Sequence, residues 1–478
     1  MSKKYYIGIA YNHPVCPINA SHARVYVVAD TLARYKRFQG FEVKMPFACH
    51  YSGDTASKFA TAIKQYLRGV KNQEVDKIIW LFREFYKVPE HSLKSLTNSI
   101  SILDYFANQT INDLKRLGIS HDWNSYYNTT DLRYKVFVQS IFDGYKDKGL
   151  ITQGRSGKSL AYENKLWRLK TLRQLKNTQI VSRKWHHIIR DSVLLLDNQW
   201  SYEREGGIGT KIDGNIVDPM FDSELFTVFD IIKDFLEPNL KYDEYKSAIS
   251  ESLKHLANPT HKEGEYKYQS LIDYLNKWLP VDMFFGEEHL KNWLAKKVYA
   301  ETALLSKKYR TKSYFLLGMG TLLGKRMSAS KGHSILLTDM LNSHGPEVAR
   351  LSLLLTSHPC EHFNWDSNQI TGIKRSLNRL YFLIGILDNL RPDRKKRDDS
   401  LLKLINESKI AWYKFMESGD FRKAAIETLN VFPNKILKHI QTKKGIDIES
   451  LELIKGYINQ SLNIIIPTYF NNQQIHYV

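Results

Sequence analysis

The feature that most constrains the fold is a strand–loop–helix unit at the N-terminus. Residues 5–10 form a short β-rich apolar run, which predicts a buried first strand. A loop with two prolines follows, and apolar residues then recur at helical spacing from His22 to a terminating Gly40. A second strand is predicted over residues 41–48. A strand, a loop and a helix with small polar residues at the helix start are how α/β folds hold phosphate groups.

The basic composition indicates an anionic partner. The 478 residues include 69 Lys and Arg and 50 Asp and Glu, a formal net charge of +19. Residues 151–190 hold ten basic residues and one acidic residue, and residues 371–478 hold eighteen and eleven. Nucleic acid is the leading candidate, although a basic surface that serves only solubility fits the same charge.

Length and cysteine usage predict a multidomain protein of a reducing compartment. A chain of 478 residues has room for two to four domains. Cys16, Cys49 and Cys360 are too far apart in sequence for a zinc site or a disulfide framework. The N-terminal apolar run is too short for a signal peptide, and no apolar stretch reaches the roughly 20 residues that span a bilayer. We therefore expect a cytoplasmic protein with no membrane partner.

Two distant segments carry residues suited to binding phosphate groups. Residues 19–22 read Asn-Ala-Ser-His at the start of the first predicted helix, and residues 324–333 read Gly-Lys-Arg-Met-Ser-Ala-Ser-Lys-Gly-His. A helix N-terminus that bears an imidazole offers donors and positive potential to phosphates. A mobile basic loop neutralises charge as a transition state forms. His22 taken alone equally fits a helix-start histidine with a structural role.

Taken in order, the two segments resemble the HIGH and KMSKS signatures of class I aminoacyl-tRNA synthetases. His22 matches the second histidine of the first signature, Asn19 stands where the family has the first, and Ser21 replaces a glycine that packs against adenine. An asparagine amide still donates a hydrogen bond but carries no charge. The resemblance implies catalytic roles for Asn19, His22, Arg326 and Lys331, and ATP contacts for Ser21, Met327, Ser328 and Ser330.

The second signature departs from the family at its two lysines. The first is replaced by Arg326 and the second by Ala329, with Lys325 and Lys331 on either side of the motif. Arginine and lysine both neutralise a phosphate, although they differ in geometry. The resemblance implies that Arg326 and Lys331 act on the leaving pyrophosphate.

A third element lies between the two signatures. Residues 285–289, Phe-Gly-Glu-Glu-His, resemble the Gly-x-Asp/Glu element whose carboxylate binds the ATP ribose in this family. The alternative is a surface Glu-Glu pair at a helix start. The order of the three elements favours the ribose role for Glu288, with ATP contacts from Gly286 and His289.

Further segments resemble leucyl-tRNA synthetases of the archaeal and eukaryotic kind. The resemblance covers about residues 5–230 and 275–380 and implies leucine as the favoured substrate. It also implies an amino-acid site. The residues implied for that site are Tyr11, Phe47, His50 and Asp222. The segments that carry the resemblance are 48–53, 86–90, 117–123, 129–131, 196–200, 217–223, 278–282 and 345–351.

The resemblance implies a Rossmann-like α/β catalytic domain, split by a short connective insertion and followed by a C-terminal α-helical bundle. Only about 60 residues lie between Gly154 and Asp218, too few for an editing domain, so no proofreading in cis is expected. The expected parts are 1–150 and 276–370 for the two catalytic halves, 151–275 for the reduced connective region, and 371–478 for an anticodon-binding-type bundle.

Three functions fit the sequence. The first is ATP-dependent activation of an aliphatic amino acid and its transfer to tRNA, with ATP and Mg²⁺ as cofactors. The second is a paralog that supplies an aminoacyl-adenylate or aminoacyl-tRNA to a specialised pathway or a carrier protein. The third is a non-catalytic RNA-binding homologue, since a fold does not guarantee a function. Methionyl-type specificity is the rival within the class.

Overall fold

A five-stranded parallel sheet forms the centre of the molecule. Its strand order is Glu42–Lys44, Lys4–Ile9, Asp282–Gly286, Ser313–Leu317 and Gln179–Ile180. A fully parallel sheet with helical crossovers confirms the predicted Rossmann-like α/β class. The computed structural model describes residues 3–154, 157–161, 165–236, 240–259, 266–391, 397–442 and 446–469.

The predicted N-terminal unit is confirmed. Strand Lys4–Ile9 is buried along its last four residues. The first helix, Ala20–Phe38, begins after Asn19, whose side-chain oxygen accepts a hydrogen bond from the backbone N–H of His22 at 3.0 Å. The helix ends just before Gly40, which takes a φ of +83° that glycine adopts without strain.

The strand predicted over residues 41–48 is wrong in its extent. The central sheet receives only Glu42–Lys44, and a separate strand, Ala48–Cys49, pairs with Tyr127–Asn128. Pro46 lies between the two strands. Proline has no N–H to give to a ladder, so the pairing is interrupted there.

The sequence also predicts a helix from about Glu287 to Ser306, and in the structure this segment begins irregularly. A 3₁₀ turn, Glu287–His289, and a π-helical turn, Leu290–Leu294, precede the α-helix Ala295–Leu304. Such π-helical turns are frequent at functional sites. The 3₁₀ turn follows directly on the central strand that ends at Gly286, which places the third sequence element at the carboxyl edge of the sheet.

Two hydrophobic cores flank the sheet. One joins the first helix to the C-terminal helices, with Tyr35 packed edge-on against the fully buried Trp412 at 5.9 Å between ring centroids. The other joins the connective region to the helices before the second catalytic half. The helix Asn368–Asn389 spans the predicted boundary at 370/371, and Gln269–Trp278 spans that at 275/276. The division into four parts stays a prediction.

The C-terminal region is helical, as predicted. The sequence also predicts a charged linker over residues 391–399, of which residues 392–396 lie outside the described residues. The helix Leu337–Leu355 bends at Gly345, where φ is +77°.

In the part of the chain that the structure describes, no helix is both long and apolar enough to cross a membrane. The α-helices are Ala20–Phe38, Thr55–Leu67, Gln73–Trp80, Glu90–Ser95, Ser99–Arg116, Leu132–Asp147, Lys165–Asn177, Arg183–Leu194, Pro219–Asp222, Phe226–Phe235, Tyr242–Ala257, Gln269–Trp278, Ala295–Leu304, Leu337–Leu355, Asn368–Asn389, Asp399–Glu417, Phe421–Ile426, Phe432–Thr442 and Ile448–Ile465. Outside the central sheet, the strands are Ala48–Cys49, Tyr127–Asn128, Ile151–Gly154, Gly157–Ala161, Gln199–Ser201, Glu203–Arg204, Lys211–Ile212, Asn215–Val217, Gly320–Leu322, Lys325–Arg326 and Phe363–Trp365.

Candidate active site

A cavity of about 500 Å³ lies at the carboxyl ends of the central strands. Strand Lys4–Ile9 has the next strand of the chain on one side and Asp282–Gly286 on the other, so the winding of the sheet reverses at this point. Open α/β sheets bind ligands at such a switch point. The lining comes from residues within 9–26, 285–289 and 319–331. The three elements singled out in the sequence therefore meet in one cavity.

Hydrogen bonds explain why the two distant signatures lie together. We call residues 324–333 the basic loop. The Ala20 N–H donates to the Ile335 carbonyl, just beyond this loop, at 2.8 Å. The Ser21 hydroxyl accepts from the Gly320 N–H at 2.9 Å, just before the loop, across a sequence separation of 299 residues. The helix start is thus fastened to both ends of the loop. Ser21 itself lies outside the cavity lining.

The helix start presents Asn19 and His22 to the cavity in different ways. Asn19 is only 1% exposed, and its side-chain oxygen caps the helix, which leaves its amide NH₂ as the group available to a ligand. The His22 side chain is 49% exposed, and its Nε2 lies 3.6 Å from Oε1 of Glu288. Both side chains stand at the positive end of the helix dipole, where anions are favoured.

The Glu288 carboxylate lies beside two imidazoles, and one of its oxygens has no hydrogen-bond partner among the described residues. Oε1 lies 3.6 Å from Nε2 of His22 and 3.6 Å from Nε2 of His289. Oε2 is buried and has no hydrogen-bond partner among the described residues. Burial raises the pKa of Glu288, but the fields of His289, His22 and Arg326 outweigh it and hold the pKa below its usual value. An ionised acceptor without a donor suits a ligand hydroxyl.

Gly286 gives the Glu288 carboxylate its room. A Cβ at position 286 would overlap both carboxylate oxygens of Glu288. The φ of Gly286 is −82°, which any residue adopts, so the effect of glycine here is the space that it leaves for the carboxylate. The sequence predicted contact of Gly286 with ATP; the structure places it beneath the predicted ribose-binding side chain.

The basic loop is a hairpin closed by backbone hydrogen bonds. Strand Lys325–Arg326 pairs antiparallel with Gly320–Leu322 through a two-residue turn, and both turn residues have positive φ, as in type I′ turns. The Ser328 N–H donates to the His333 carbonyl at 2.7 Å. The loop therefore has a defined conformation next to the cavity.

The loop divides its side chains between the cavity wall and solvent. Met327 is buried and lines the cavity together with Ser328 and Ser330. Arg326 and Lys331 line the cavity rim and are exposed. Exposed cations on such a rim are placed to meet a polyphosphate.

The four residues predicted for the amino-acid site separate. Tyr11 lines the cavity, whereas Phe47, His50 and Asp222 lie outside its lining. The His50 ring is 5.4 Å from that of Tyr11, and its Nε2 is 3.0 Å from Oδ2 of Asp222. Phe47 is buried in an aromatic cluster, 5.2 Å from His121. Three of the four thus adjoin one another behind the cavity, and Phe47 belongs to the core.

A buried network behind Tyr11 could not be found from the sequence. The hydroxyls of Tyr11 and Tyr127 share a short hydrogen bond. Tyr127 donates to Oδ1 of Asp230 at 2.7 Å, and Tyr6 donates to Oδ2 at 3.0 Å. Burial raises the pKa of Asp230 to about 7, and the two tyrosine hydrogen bonds offset it only in part. The network fixes the tyrosine that forms the inner wall of the cavity.

Asn12 and His13 also line the cavity and were missed in the sequence. His13 Nε2 lies 2.6 Å from the Ser52 carbonyl, so Nε2 carries the proton and Nδ1 is an acceptor. Desolvation and, to a smaller extent, the nearby His50 lower the pKa of His13 to about 4, so the ring is neutral. A signal for both existed, because residues that directly follow the first strand of such a fold lie at its switch point.

Curated relatives of the chain are leucine–tRNA ligases. Those of Methanopyrus kandleri and Pyrococcus horikoshii are each 35% identical to it, over 149 and 154 residues. The alignments cover 31% and 32% of this chain. The chain spans about 15% of the length of these relatives. No protein-family model matches it.

Solved structures share the fold over nearly the whole chain. Mycobacterium tuberculosis methionyl-tRNA synthetase in complex with methionyl-adenylate superposes with a TM-score of 0.66 at 13% identity, covering 97% of this chain and 92% of that one. A putative arginyl-tRNA synthetase from Campylobacter jejuni gives 0.56 at 15% identity, covering 97% and 91%. The chain is therefore related in sequence to leucine–tRNA ligases over about a third of its length, and over nearly its whole length it shares the fold of these synthetase structures.

Proposed function

We propose that this chain forms an aminoacyl-adenylate from ATP and an aliphatic amino acid, with leucine favoured, and passes the amino acid to tRNA. The observation that carries the proposal is the meeting of His22, Glu288 and Arg326 at one cavity on the switch point of the sheet. These residues come from three separate parts of the chain and supply an anion-binding helix start, a carboxylate oxygen with no hydrogen-bond partner among the described residues, and an exposed cation. That combination suits a nucleotide triphosphate.

Nucleotide binding is assigned to the helix start and to Glu288. The free Oε2 of Glu288 accepts hydrogen bonds from the ribose hydroxyls. His22 and the amide NH₂ of Asn19 donate to the phosphates from the positive end of the helix. Met327 forms part of the apolar wall for the base. The fit rests on an acceptor that no described residue pairs with.

Adenylate formation needs positive charge more than it needs a protein nucleophile. An oxygen of the substrate carboxylate attacks the α-phosphorus, and the bond from that phosphorus to the oxygen of the departing pyrophosphate breaks. Arg326 and Lys331 neutralise the charge that develops on the pyrophosphate. No protein side chain forms a covalent bond in this step.

Mg²⁺ enters the proposal only with ATP. Throughout the described ranges, no group of three or more His, Cys, Asp or Glu side chains is arranged to hold a metal ion. The chain's own residues therefore do not build a resident metal site there, and no step is assigned to one. Phosphate oxygens of the nucleotide are ligands that Mg²⁺ favours.

Leucine is favoured by the sequence relatives and methionine is the rival. The relatives named above are leucine–tRNA ligases, whereas a structural neighbour is a methionyl-tRNA synthetase. The amino acid is assigned to the inner end of the cavity beside Tyr11, with His50 and Asp222 behind it. A hydrophobic pocket separates aliphatic side chains by only about 1–3 kcal/mol per methylene, so the specificity is limited without editing.

The tRNA assignment rests on basic surface in the connective region. The helix Lys165–Asn177 carries five Lys or Arg residues and no acidic residue. Between residues 155 and 217, the described part of the chain consists of two helices and short strands, which supports the absence of proofreading in cis. Phosphate contacts of this kind weaken with salt. The cytoplasmic location stays a prediction from the sequence.

ATP–pyrophosphate exchange with each of the twenty amino acids tests the proposal. We expect exchange above background with leucine and its loss in His22→Ala. Background exchange with all twenty would reject adenylate formation and leave the non-catalytic RNA-binding homologue. Gel-shift binding to tRNA at low salt then separates the acceptors, because exchange without tRNA binding favours a carrier protein.

A further inference from the structure

We propose that Tyr86 and Trp80 are positioning residues that hold the basic loop over the cavity. The inference rests on the proposed function, since it explains how Arg326 and Lys331 are placed for adenylate formation. Neither aromatic residue belongs to a signature. Both lie at the end of one helical segment, which runs from Gln73 through a π-helical turn to Tyr86.

Tyr86 ties the loop to the wall of the cavity. Its hydroxyl donates to the carbonyl of Ala329, inside the loop, at 3.2 Å. The same hydroxyl contacts the thiol of Cys16, which lines the cavity from the segment after the first strand. Tyr86 is 4% exposed, and burial raises its pKa far above the usual value, so the hydroxyl keeps its proton and stays a donor. One buried hydroxyl therefore joins two cavity-lining segments.

Trp80 covers the far end of the loop. A Cβ at Gly332 would come within 2.8 Å of the Trp80 ring, so the indole lies directly against the glycine backbone. Gly332 also has a φ of +72°, which glycine adopts without strain. Trp80 is 50% exposed and stacks on Phe85 at 6.2 Å between ring centroids. A half-exposed indole in this position restrains the loop without being part of the core.

The segment that carries both aromatic residues is itself held in place. The π-helical turn Leu81–Phe85 closes with a hydrogen bond from the Tyr86 N–H to the Leu81 carbonyl at 2.7 Å. Lys87, the next residue, pairs with Asp339 at 2.6 Å between Nζ and Oδ1, beyond the loop. Turns of this type re-aim side chains and are common at functional sites. The segment thus contacts the loop at two points and the chain after it at a third.

A positioning role makes a prediction that a purely structural role does not. The loop carries exposed trypsin sites at Arg326 and Lys331. If Tyr86 and Trp80 hold the loop, removing either contact exposes those peptide bonds while the rest of the molecule keeps its stability. If they only fill space, both variants lower the melting temperature and cleavage rises everywhere in the chain alike.

The experiment compares Tyr86→Phe, Trp80→Leu and the control Phe382→Ala by limited trypsin digestion with mass spectrometry. Phe382 is 62% exposed on a C-terminal helix. We expect cleavage after Arg326 and Lys331 to accelerate roughly fivefold in Tyr86→Phe, the effect of one lost hydrogen bond. Trp80→Leu acts in the same direction, Phe382→Ala leaves the rate unchanged, and the melting temperature moves little in all three. In pyrophosphate exchange, we expect kcat to fall in Tyr86→Phe and in Trp80→Leu. The KM for ATP stays within roughly twofold, because only transition-state contacts are lost.

The proteolysis readout does not depend on catalysis. Unchanged cleavage in both Tyr86→Phe and Trp80→Leu overturns the positioning role, whatever the exchange assay gives. Faster cleavage in both variants, together with background exchange in the unaltered protein, supports the positioning role and rejects the proposed function. Cleavage that rises equally at sites outside residues 326–331 assigns the two side chains to general stability and also overturns the proposal. A third variant, Trp80→Phe, restores a ring and is expected to return cleavage toward the control.

Discussion

Asp30 and Glu288 are both carboxylates beside several basic side chains, yet of the two only Asp30 accepts hydrogen bonds at both of its oxygens. Asp30 accepts from Nη2 of Arg350 at 2.6 Å, from Nε of Arg34 at 2.8 Å and from the Ser120 N–H at 2.7 Å. Glu288 lies 3.6 Å from its nearest imidazoles and has one buried oxygen without a partner among the described residues. The first cluster is complete as it stands, and the second has a place for a ligand.

The difference shows how one motif serves two purposes. Asp30 and Arg34 follow the first signature on the same helix as His22. Burial raises the pKa of Asp30, but Arg350 and Arg34 outweigh it and hold the pKa well below the usual value. The residues after the signature therefore fix the helix against the C-terminal half of the chain, so that the residues at its start can address a ligand.

The largest expected effect is on stability at Asp30. Asp30→Ala leaves the fully buried Arg350 without its carboxylate, and removing one partner of a buried pair costs about 3–5 kcal/mol of unfolding free energy. Urea unfolding measures the loss. Glu288→Ala is the matched comparison and is expected to cost under about 1 kcal/mol. Similar losses at the two positions would contradict the distinction between a completed and an open cluster.

A third carboxylate, Asp230, sharpens the comparison by pH. It faces the hydroxyls of Tyr6 and Tyr127, with Asp234 and Lys233 nearby, and its pKa is raised by burial to about 7. Between the unfolded pKa of about 4 and the folded value, the native state holds a proton that the unfolded state has released, so stability falls as the pH rises through this window.

The expected slope for Asp230 is up to about 1.4 kcal/mol per pH unit. Unfolding free energies between pH 4 and pH 8 are to be compared for the unaltered protein and Asp230→Asn, in which the decline is expected to flatten. Asp234→Asn is the control, because it removes a neighbouring charge and keeps both tyrosine hydrogen bonds. An unchanged slope in Asp230→Asn would show that this carboxyl is ionised in the folded protein throughout.

Arg326→Ala is expected to lower turnover more than it lowers the affinity for ATP. Arg326→Ala removes a cation that acts on charge developed in the transition state, and loss of one such group lowers kcat by roughly 100-fold. The KM for ATP is expected to change little. The neighbouring exposed Lys325→Ala serves as a control with a smaller effect. Equal changes in kcat and KM in Arg326→Ala would place Arg326 in ground-state binding instead.

The smallest expected effect is on nucleotide affinity at Glu288. Glu288→Gln keeps the shape and removes the charge, so ATP affinity measured by calorimetry is expected to fall roughly tenfold, the scale of a hydrogen bond to a charged group. Glu287→Gln is the matched control, since Glu287 is engaged with His362. No loss in Glu288→Gln would remove the ribose assignment.

Local signals predicted the parts of the fold that local chemistry determines. The first strand and the first helix lie where the apolar runs of residues 5–10 and 22–40 predict them. Pro46 marks the break between the two short strands, but the apolar residues around it give the pattern of one continuous strand. Sequence patterns describe a run of side chains better than the hydrogen bonds of its backbone.

The sequence predicted the three elements that meet at the candidate site, but not the buried network behind them. The order of the three elements brought Glu288, His22 and Arg326 to one place, because a resemblance carries three-dimensional information that periodicity lacks. The network of Tyr11, Tyr127 and Asp230 joins residues far apart in the chain and has no local pattern. Only the fold brings such residues together, so they are found from the structure.

The most direct test is a crystal structure with a non-hydrolysable leucyl-adenylate mimic. Asn19, His22 and residues 326–331 line one cavity, and the account requires both segments to face the same ligand. We predict density for the mimic between them, with its ribose on Oε2 of Glu288. A fully formed cavity without density at saturating mimic, or density that leaves Glu288 untouched, would contradict the account.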